Sequence, residues 1–368
     1  MECIYELPHT EGNPRNSEGS FVKLNDGSIM FAYTRYRGNS WSDHATADIV
    51  AIKSTDGGRS WSDYSIMQPN RAENVMSVSL LRLMDGRIMF MFLEKSLICD
   101  RNNSVDTKSD DGLGIDCRPW VCFSSDEGKS WTEPMDVARY INIYIVVNND
   151  RLVQLKSGRL IIPASIPHLV PVEKDGRLQY GCSPRGDAFF YLSDDGGRSW
   201  RESTECCYPP HGVALGFQEP GVIELTDGRI MAWFRTSAGY QYKAFSDDGG
   251  ETWANPEIAY EFPSPAAPLS MKRDPRNGDL IAIWDDIDPR WCIKNKKASW
   301  MRTPLVIARS SDEGRTWHGH RKLEELPDHG YCYTAMLFEG NDLLLAYCCG
   351  GGDSGVLQDL RIRRIELD

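Results

Sequence analysis

The sequence predicts an all-β fold, a six-bladed β-propeller with four-stranded antiparallel blades, and three observations carry that prediction. An eight-residue phrase running from serine to tryptophan occurs five times. A glycine-centred turn between apolar strands occurs six times, in phase with it. Helical periodicity is scarce along the 368 residues.

The five phrases are STDGGRSW, SSDEGKSW, SDDGGRSW, SDDGGETW and SSDEGRTW, beginning at Ser54, Ser124, Ser193, Ser246 and Ser310. Their tryptophans, Trp61, Trp131, Trp200, Trp253 and Trp317, stand 70, 69, 53 and 64 residues apart, intervals too long for a solenoid. Each phrase reads as a turn. Asp and Ser bond backbone amides, glycine permits the reversal, and Trp anchors the loop between sheets. The aspartates are therefore turn formers in staples on the outer edge of the blades, not catalysts.

The glycine phrases are LNDGSIMFAY, LMDGRIMFMF, LKSGRLIIPA, LTDGRIMAWF, RNGDLIAIWD and FEGNDLLLAY, centred on Gly27, Gly86, Gly158, Gly228, Gly278 and, in a shifted form, Gly340. Each resembles a hairpin whose glycine takes positive φ. A third strand runs into each box, and a strand leading out completes four per unit. Units of about 50 to 72 residues suit a propeller, in which four-stranded sheets repeat radially. The sixth unit lacks a box because the chain ends at LRIRRIELD. The N-terminal CIYELP is expected to complete that blade and close the ring, making one domain of residues 1–368.

Composition narrows the partners. With 41% hydrophobic residues a sizeable core is available, and a formal charge of −12 argues against nucleic acid. No stretch approaches the roughly 20 apolar residues that span a bilayer, and the start lacks the layout of a signal peptide. Eleven cysteines, with Cys206/Cys207 and Cys348/Cys349 adjacent, do not form a secreted disulfide framework or a paired zinc motif. Free thiols in a reducing, cytoplasmic setting are expected, with no metal and no cofactor.

Chemistry is sought where polar residues interrupt apolar strands near the loops of one channel mouth. In GFQEPGVIELTDGRIMAWFRTSAGYQY, Glu219 precedes a strand and Arg235 ends the next, sixteen residues later, a spacing that returns both to one sheet end. In KASWMRTPLVIARSSDEGRTW, Arg302 precedes a strand. In HGYCYTAMLFEG, Tyr331 opens a strand, with Tyr333 pointing the same way by period two.

Over most of its length the chain resembles the sialidase superfamily, exo-acting glycoside hydrolases built on six-bladed propellers with recurrent Asp boxes. The resemblance implies Tyr331 as nucleophile, Glu219 as its base, and Asp43 as general acid, with Asp48 the alternative. It implies Arg235 and Arg302 as ligands of the substrate carboxylate. A phenol deprotonated by a neighbouring Glu suits a 2-keto acid sugar, whose own carboxylate would repel an anionic carboxylate nucleophile. Bidentate arginines would clamp that carboxylate.

The family's first blade opens with an Arg-Ile-Pro phrase. Here the stretch reads NPRNSEGSFVKLNDG, with Arg15 slightly upstream and Ser17 and Glu18 nearer the aligned place; Arg37 is a second candidate. Arg118, Arg273, Asn74, Asn148 and Asn149 are further candidates for the pocket wall. The polar insertion DRNNSVDTKSDDGLGID lacks calcium-loop spacing and reads as a mobile loop over one face. The activity implied is that of a retaining exo-sialidase acting on a glycan or glycoside. The alternatives are an exo-glycosidase for a neutral or uronic sugar and a carbohydrate-binding propeller without catalysis.

Overall fold

All six glycine phrases fold as the turns of antiparallel hairpins. Gly27, Gly86, Gly158, Gly228 and Gly278 adopt φ of 84 to 92°, and Gly340 adopts 61°, values that side chains with a Cβ avoid. The structure is a computed structural model, described here for residues 3–97, 115–140, 143–174 and 177–367. The polar insertion in the second repeat lies largely outside the described residues.

The strands form six four-stranded antiparallel sheets arranged as the blades of a propeller. Their innermost strands, for blades one to six, are Asn16–Lys23, Asn74–Arg82, Val153–Gln154, Gln218–Glu224, Ser270–Arg273 and Cys332–Glu339. Strand Cys3–Leu7 pairs antiparallel with Leu360–Glu366 as the outermost strand of blade six, so the two ends of the chain close the ring. Among the described residues the helical elements are two short 3-10 turns, and no helix is long and apolar enough to cross a membrane.

Apolar strand faces meet between neighbouring blades. Phe31 and Val50 of blade one meet Leu344 and Ile362 of blade six, and Phe190 and Leu192 of blade three meet Phe234 and Ala244 of blade four. Fully burying one such side chain stabilises the fold by about 1.5–3 kcal/mol. In each box the serine hydroxyl donates to the aspartate (2.8–2.9 Å) and accepts the glycine amide (2.7–2.9 Å). The aspartate's second oxygen accepts a Ser or Thr hydroxyl at 2.6–2.7 Å. These donors hold the carboxyls of Asp56, Asp126, Asp195 and Asp312 below their ordinary values. The box tryptophans reach into the interblade cores: Trp253 of blade four stacks on Phe190 of blade three at 4.2 Å.

The innermost strands depart from regular pairing where they approach the channel. Register shifts fall between Ser17 and Ser20, Met76 and Ser79, Gln218 and Gly221, and Cys332 and Ala335. Within these bulges Glu18, Ser77, Glu219 and Tyr333 take positive φ of 54, 59, 45 and 59°. Such bulges re-aim side chains, and non-glycine residues hold this backbone only where their surroundings fix it. The segment before strand Val153–Gln154 supplies that fixation. Asn149 Nδ2 donates to the carbonyls of Gly19 (2.7 Å) and Tyr333 (3.0 Å). Asp150 accepts the Ser20 hydroxyl (2.8 Å) and the Met336 amide (3.0 Å). Bulge glycines give the partner strand room: a Cβ on Gly221 would stand 2.2 Å from the Trp233 ring.

Candidate active site

The four re-aimed side chains converge on a cavity of about 390 Å³ at one mouth of the channel, within the size range of small-ligand sites. Blade one contributes Arg15, Glu18, Trp41 and Asp43; blade two Ser77 and Lys95; and the segment before blade three Tyr144 and Asn148. Glu219 and Arg235 come from blade four, Trp300 and Arg302 from the loop of blade five, and Tyr333 from blade six.

At the floor, the Tyr333 hydroxyl donates to Glu219 Oε1 at 3.2 Å, and the same oxygen accepts Arg235 Nη1 at 2.7 Å. The hairpin explains the second contact, because Gln218 pairs directly with Arg235 across it. Glu219 Oε2 is buried and has no hydrogen-bond partner among the described residues. Arg302 lies over the Tyr333 ring, 5.7 Å from its centroid, and donates to Cys332 Sγ (3.0 Å) and the Ala266 carbonyl (3.2 Å). Burial, then the charge of Glu219, push the Tyr333 phenol well above its usual pKa, with Arg302 and Arg235 acting the other way.

Arg15 is fully buried and already engaged. Its Nη1 donates to Asp43 Oδ1 at 2.5 Å, and its Nη2 to Ser17 Oγ (3.2 Å) and Glu18 Oε1 (3.3 Å). Asp43 stands at the rim with its side chain 54% exposed. Against desolvation, which acts upward, Arg15 and Lys95 pull its carboxyl well below the ordinary carboxylate value. Burial pushes the Glu18 carboxyl up to about 7, although Arg15 opposes it. Lys95 donates from Nζ to the Asp43 carbonyl at 2.7 Å.

The pocket thus gathers Glu219, Asp43, Arg235, Arg302 and Arg15 from five separated segments. It does not gather Tyr331. That ring packs between blades five and six with Ile281, Ile283 and Ile307 and meets Tyr347 edge-on at 6.3 Å. Period-two alternation would point Tyr331 and Tyr333 alike. The bulge between Cys332 and Ala335 breaks the alternation, and Tyr333 enters the cavity instead.

Other expectations are corrected by partners elsewhere. Arg37 pairs with Asp48 at 2.8 Å outside the cavity, and Asp48 also accepts the Asn70 amide, so neither faces it. Arg118 pairs with Asp116 and Asp136 on the blade-two sheet. Arg273 pairs with Glu313 at 2.8 Å beside the hairpin end of blade five, towards the opposite mouth. Asn74 donates to the Ala45 carbonyl and is not part of the wall; Asn148 is, while Asn149 lies behind it bracing the bulges. Ser77, Lys95, Tyr144, Trp41 and Trp300 were not anticipated. For Ser77 the one sequence signal is its place at the start of an apolar inner strand, matching Glu18 and Glu219. Among the described residues no group of three His, Cys, Asp or Glu side chains is arranged to hold a metal ion.

Residues 109–345 match the family described as BNR repeat-like domain. The chain is 25% identical over 246 residues to a sialidase of Paraclostridium sordellii, covering 64% of this chain and 56% of that protein. It is 25% identical over 360 residues to a sialidase of Micromonospora viridifaciens, covering 89% and 50%. The chain therefore spans about half the length of these relatives. The NanB sialidase structure from Streptococcus pneumoniae superposes with a TM-score of 0.68 at 14% identity, covering 99% of this chain and 70% of that one, which shows a shared fold.

Proposed function

The chain belongs to the BNR repeat-like domain family as a propeller of the sialidase superfamily, and from that premise we propose that it is an exo-acting retaining glycoside hydrolase releasing a terminal 2-keto acid sugar of the sialic acid class. One observation carries the reading: the Tyr333 hydroxyl is hydrogen-bonded to Glu219 in a pocket that also holds Arg15, Arg235 and Arg302. A neutral phenol with a carboxylate base is the nucleophile suited to an anomeric carbon that itself bears a carboxylate.

Glu219 takes the Tyr333 proton as Tyr333 Oη bonds to the anomeric carbon and the glycosidic bond breaks. Asp43 delivers a proton to the departing oxygen. It then removes one from the water that displaces Tyr333, whose oxygen recovers its proton from Glu219, and two inversions give net retention. Arg15 holds Asp43 ionised in the free pocket. A substrate carboxylate drawing on Arg15 weakens that pair and returns the Asp43 carboxyl toward the ordinary carboxylate range, where it is protonated, and can donate, at acid pH. Arg235 and Arg302 supply forked donors for the same carboxylate.

A second reading, hydrolysis of a neutral or uronic sugar, draws on the engagement of Arg15 by two carboxylates. Both readings are tested with a panel of 4-methylumbelliferyl glycosides, following the first-formed anomer by proton NMR. The expected result is turnover of the N-acetylneuraminic acid glycoside with retention. Inversion, or turnover confined to neutral or uronic glycosides, overturns the proposal.

A further inference from the structure

Resting on the keto-acid reading above, we propose that Glu18 is a specificity-determining residue that makes anion capture proton-linked: the pocket takes up a proton at Glu18 as it binds a carboxylate-bearing sugar. The geometry that carries this is a crowded guanidinium. Arg15 already spans Asp43 on one nitrogen and Ser17 and Glu18 on the other. A substrate carboxylate at Arg15 becomes the third anion on one buried cation.

Of the two resident carboxylates, Asp43 can turn to water and Glu18 cannot. The Glu18 side chain is 4% exposed, and its second oxygen accepts the Ser77 hydroxyl at 3.1 Å. A buried carboxylate that loses its share of a cation is neutralised by protonation at far lower cost than by staying charged. Once protonated, Glu18 changes from acceptor to donor and offers its O–H to the incoming anion. The charged and titratable groups around it come from several elements. Arg15 stands just before its strand, and Asp43 is on the loop after the next strand, Ile29–Tyr36, with His44 beside it. Lys95 is on blade two, Glu219 on blade four, Tyr333 and the Cys348 thiol on blade six, and Tyr36 at the end of strand Ile29–Tyr36 of blade one. Burial already holds Glu18 near the midpoint of titration at about pH 7.

The sign follows. Binding an anion raises the Glu18 pKa further, so affinity is full below about pH 7. Above it, affinity falls by up to about tenfold per pH unit, the limit for one linked proton, until the pKa of the complex is reached. The probe is 2-deoxy-2,3-dehydro-N-acetylneuraminic acid, titrated calorimetrically from pH 5.5 to 9 in buffers of different ionisation enthalpy. The wild-type Kd is expected to rise about tenfold between pH 7 and 8.5, with proton uptake near pH 8. Glu18→Gln is expected to flatten the profile, while His44→Asn keeps it.

A wild-type Kd constant within about twofold and free of proton uptake overturns the inference and leaves the keto-acid reading standing. A slope that survives in Glu18→Gln, or vanishes in His44→Asn, does the same. No binding at any pH overturns both. Because proton uptake is read on the wild type, the test does not depend on the variants folding.

Discussion

Tyr333→Phe is expected to lower kcat on a fluorogenic sialoside by at least about a thousandfold, with Tyr331→Phe within about threefold of wild type. The contrast is informative because the two tyrosines are two residues apart and both are buried. Phe at 333 keeps the ring beneath Arg302 and removes only the oxygen that contacts Glu219 at 3.2 Å. Phe at 331 removes an oxygen from an interblade cluster with no route to substrate. Matching melting curves for the three proteins would establish that the difference lies in chemistry. A Tyr331→Phe enzyme that is dead, or a Tyr333→Phe enzyme that turns over normally, contradicts the assignment.

Arg302→Lys is expected to lower kcat/KM by about a hundredfold, mainly through KM, because an ammonium keeps the charge and loses the fork. Arg302 is buried, and its two terminal nitrogens already satisfy Cys332 Sγ and the Ala266 carbonyl, which fixes the plane it presents to the cavity. Truncating one partner of a buried, hydrogen-bonded charge pair costs about 2–5 kcal/mol, and the lysine recovers part of that. Steady-state kinetics on the sialoside read the split directly. An unchanged KM would mean that Arg302 supports the fold and leaves substrate alone.

The propeller was legible because its signals are local. Serine, aspartate and glycine in the boxes make their hydrogen bonds within seven residues, and each hairpin glycine declares a positive φ. Ring closure by Cys3–Leu7 was legible for a related reason, since the sixth repeat visibly lacked a fourth strand. Glu219 and Arg235 could be paired from the hairpin register alone.

The bulges were not legible. Glu18, Ser77, Glu219 and Tyr333 adopt a backbone that glycine would advertise and they do not. What holds two of the bulges is an asparagine more than a hundred residues away, with Asn149 bonding the Gly19 and Tyr333 carbonyls. A strand read from sequence continues its alternation, so Tyr331 seemed to lead and Tyr333 to follow. Glu18 stood near the first-blade position in the sequence, but its contact with Ser77 depends on where a two-residue bulge aims it. Arg37, Arg118 and Arg273 misled in the opposite way. They look like pocket arginines until Asp48, Asp116, Asp136 and Glu313 are seen beside them.

The most direct test of the assignment is the site of covalent labelling. A 2,3-difluoro analogue of a keto-acid sugar, whose fluorine slows breakdown of a glycosyl-enzyme, would be incubated with the protein and the digest sequenced by tandem mass spectrometry. One added sugar is expected on Tyr333, lost in Tyr333→Phe and retained in Tyr331→Phe. A label on Tyr331, or on a carboxylate such as Glu18 or Glu219, would contradict it.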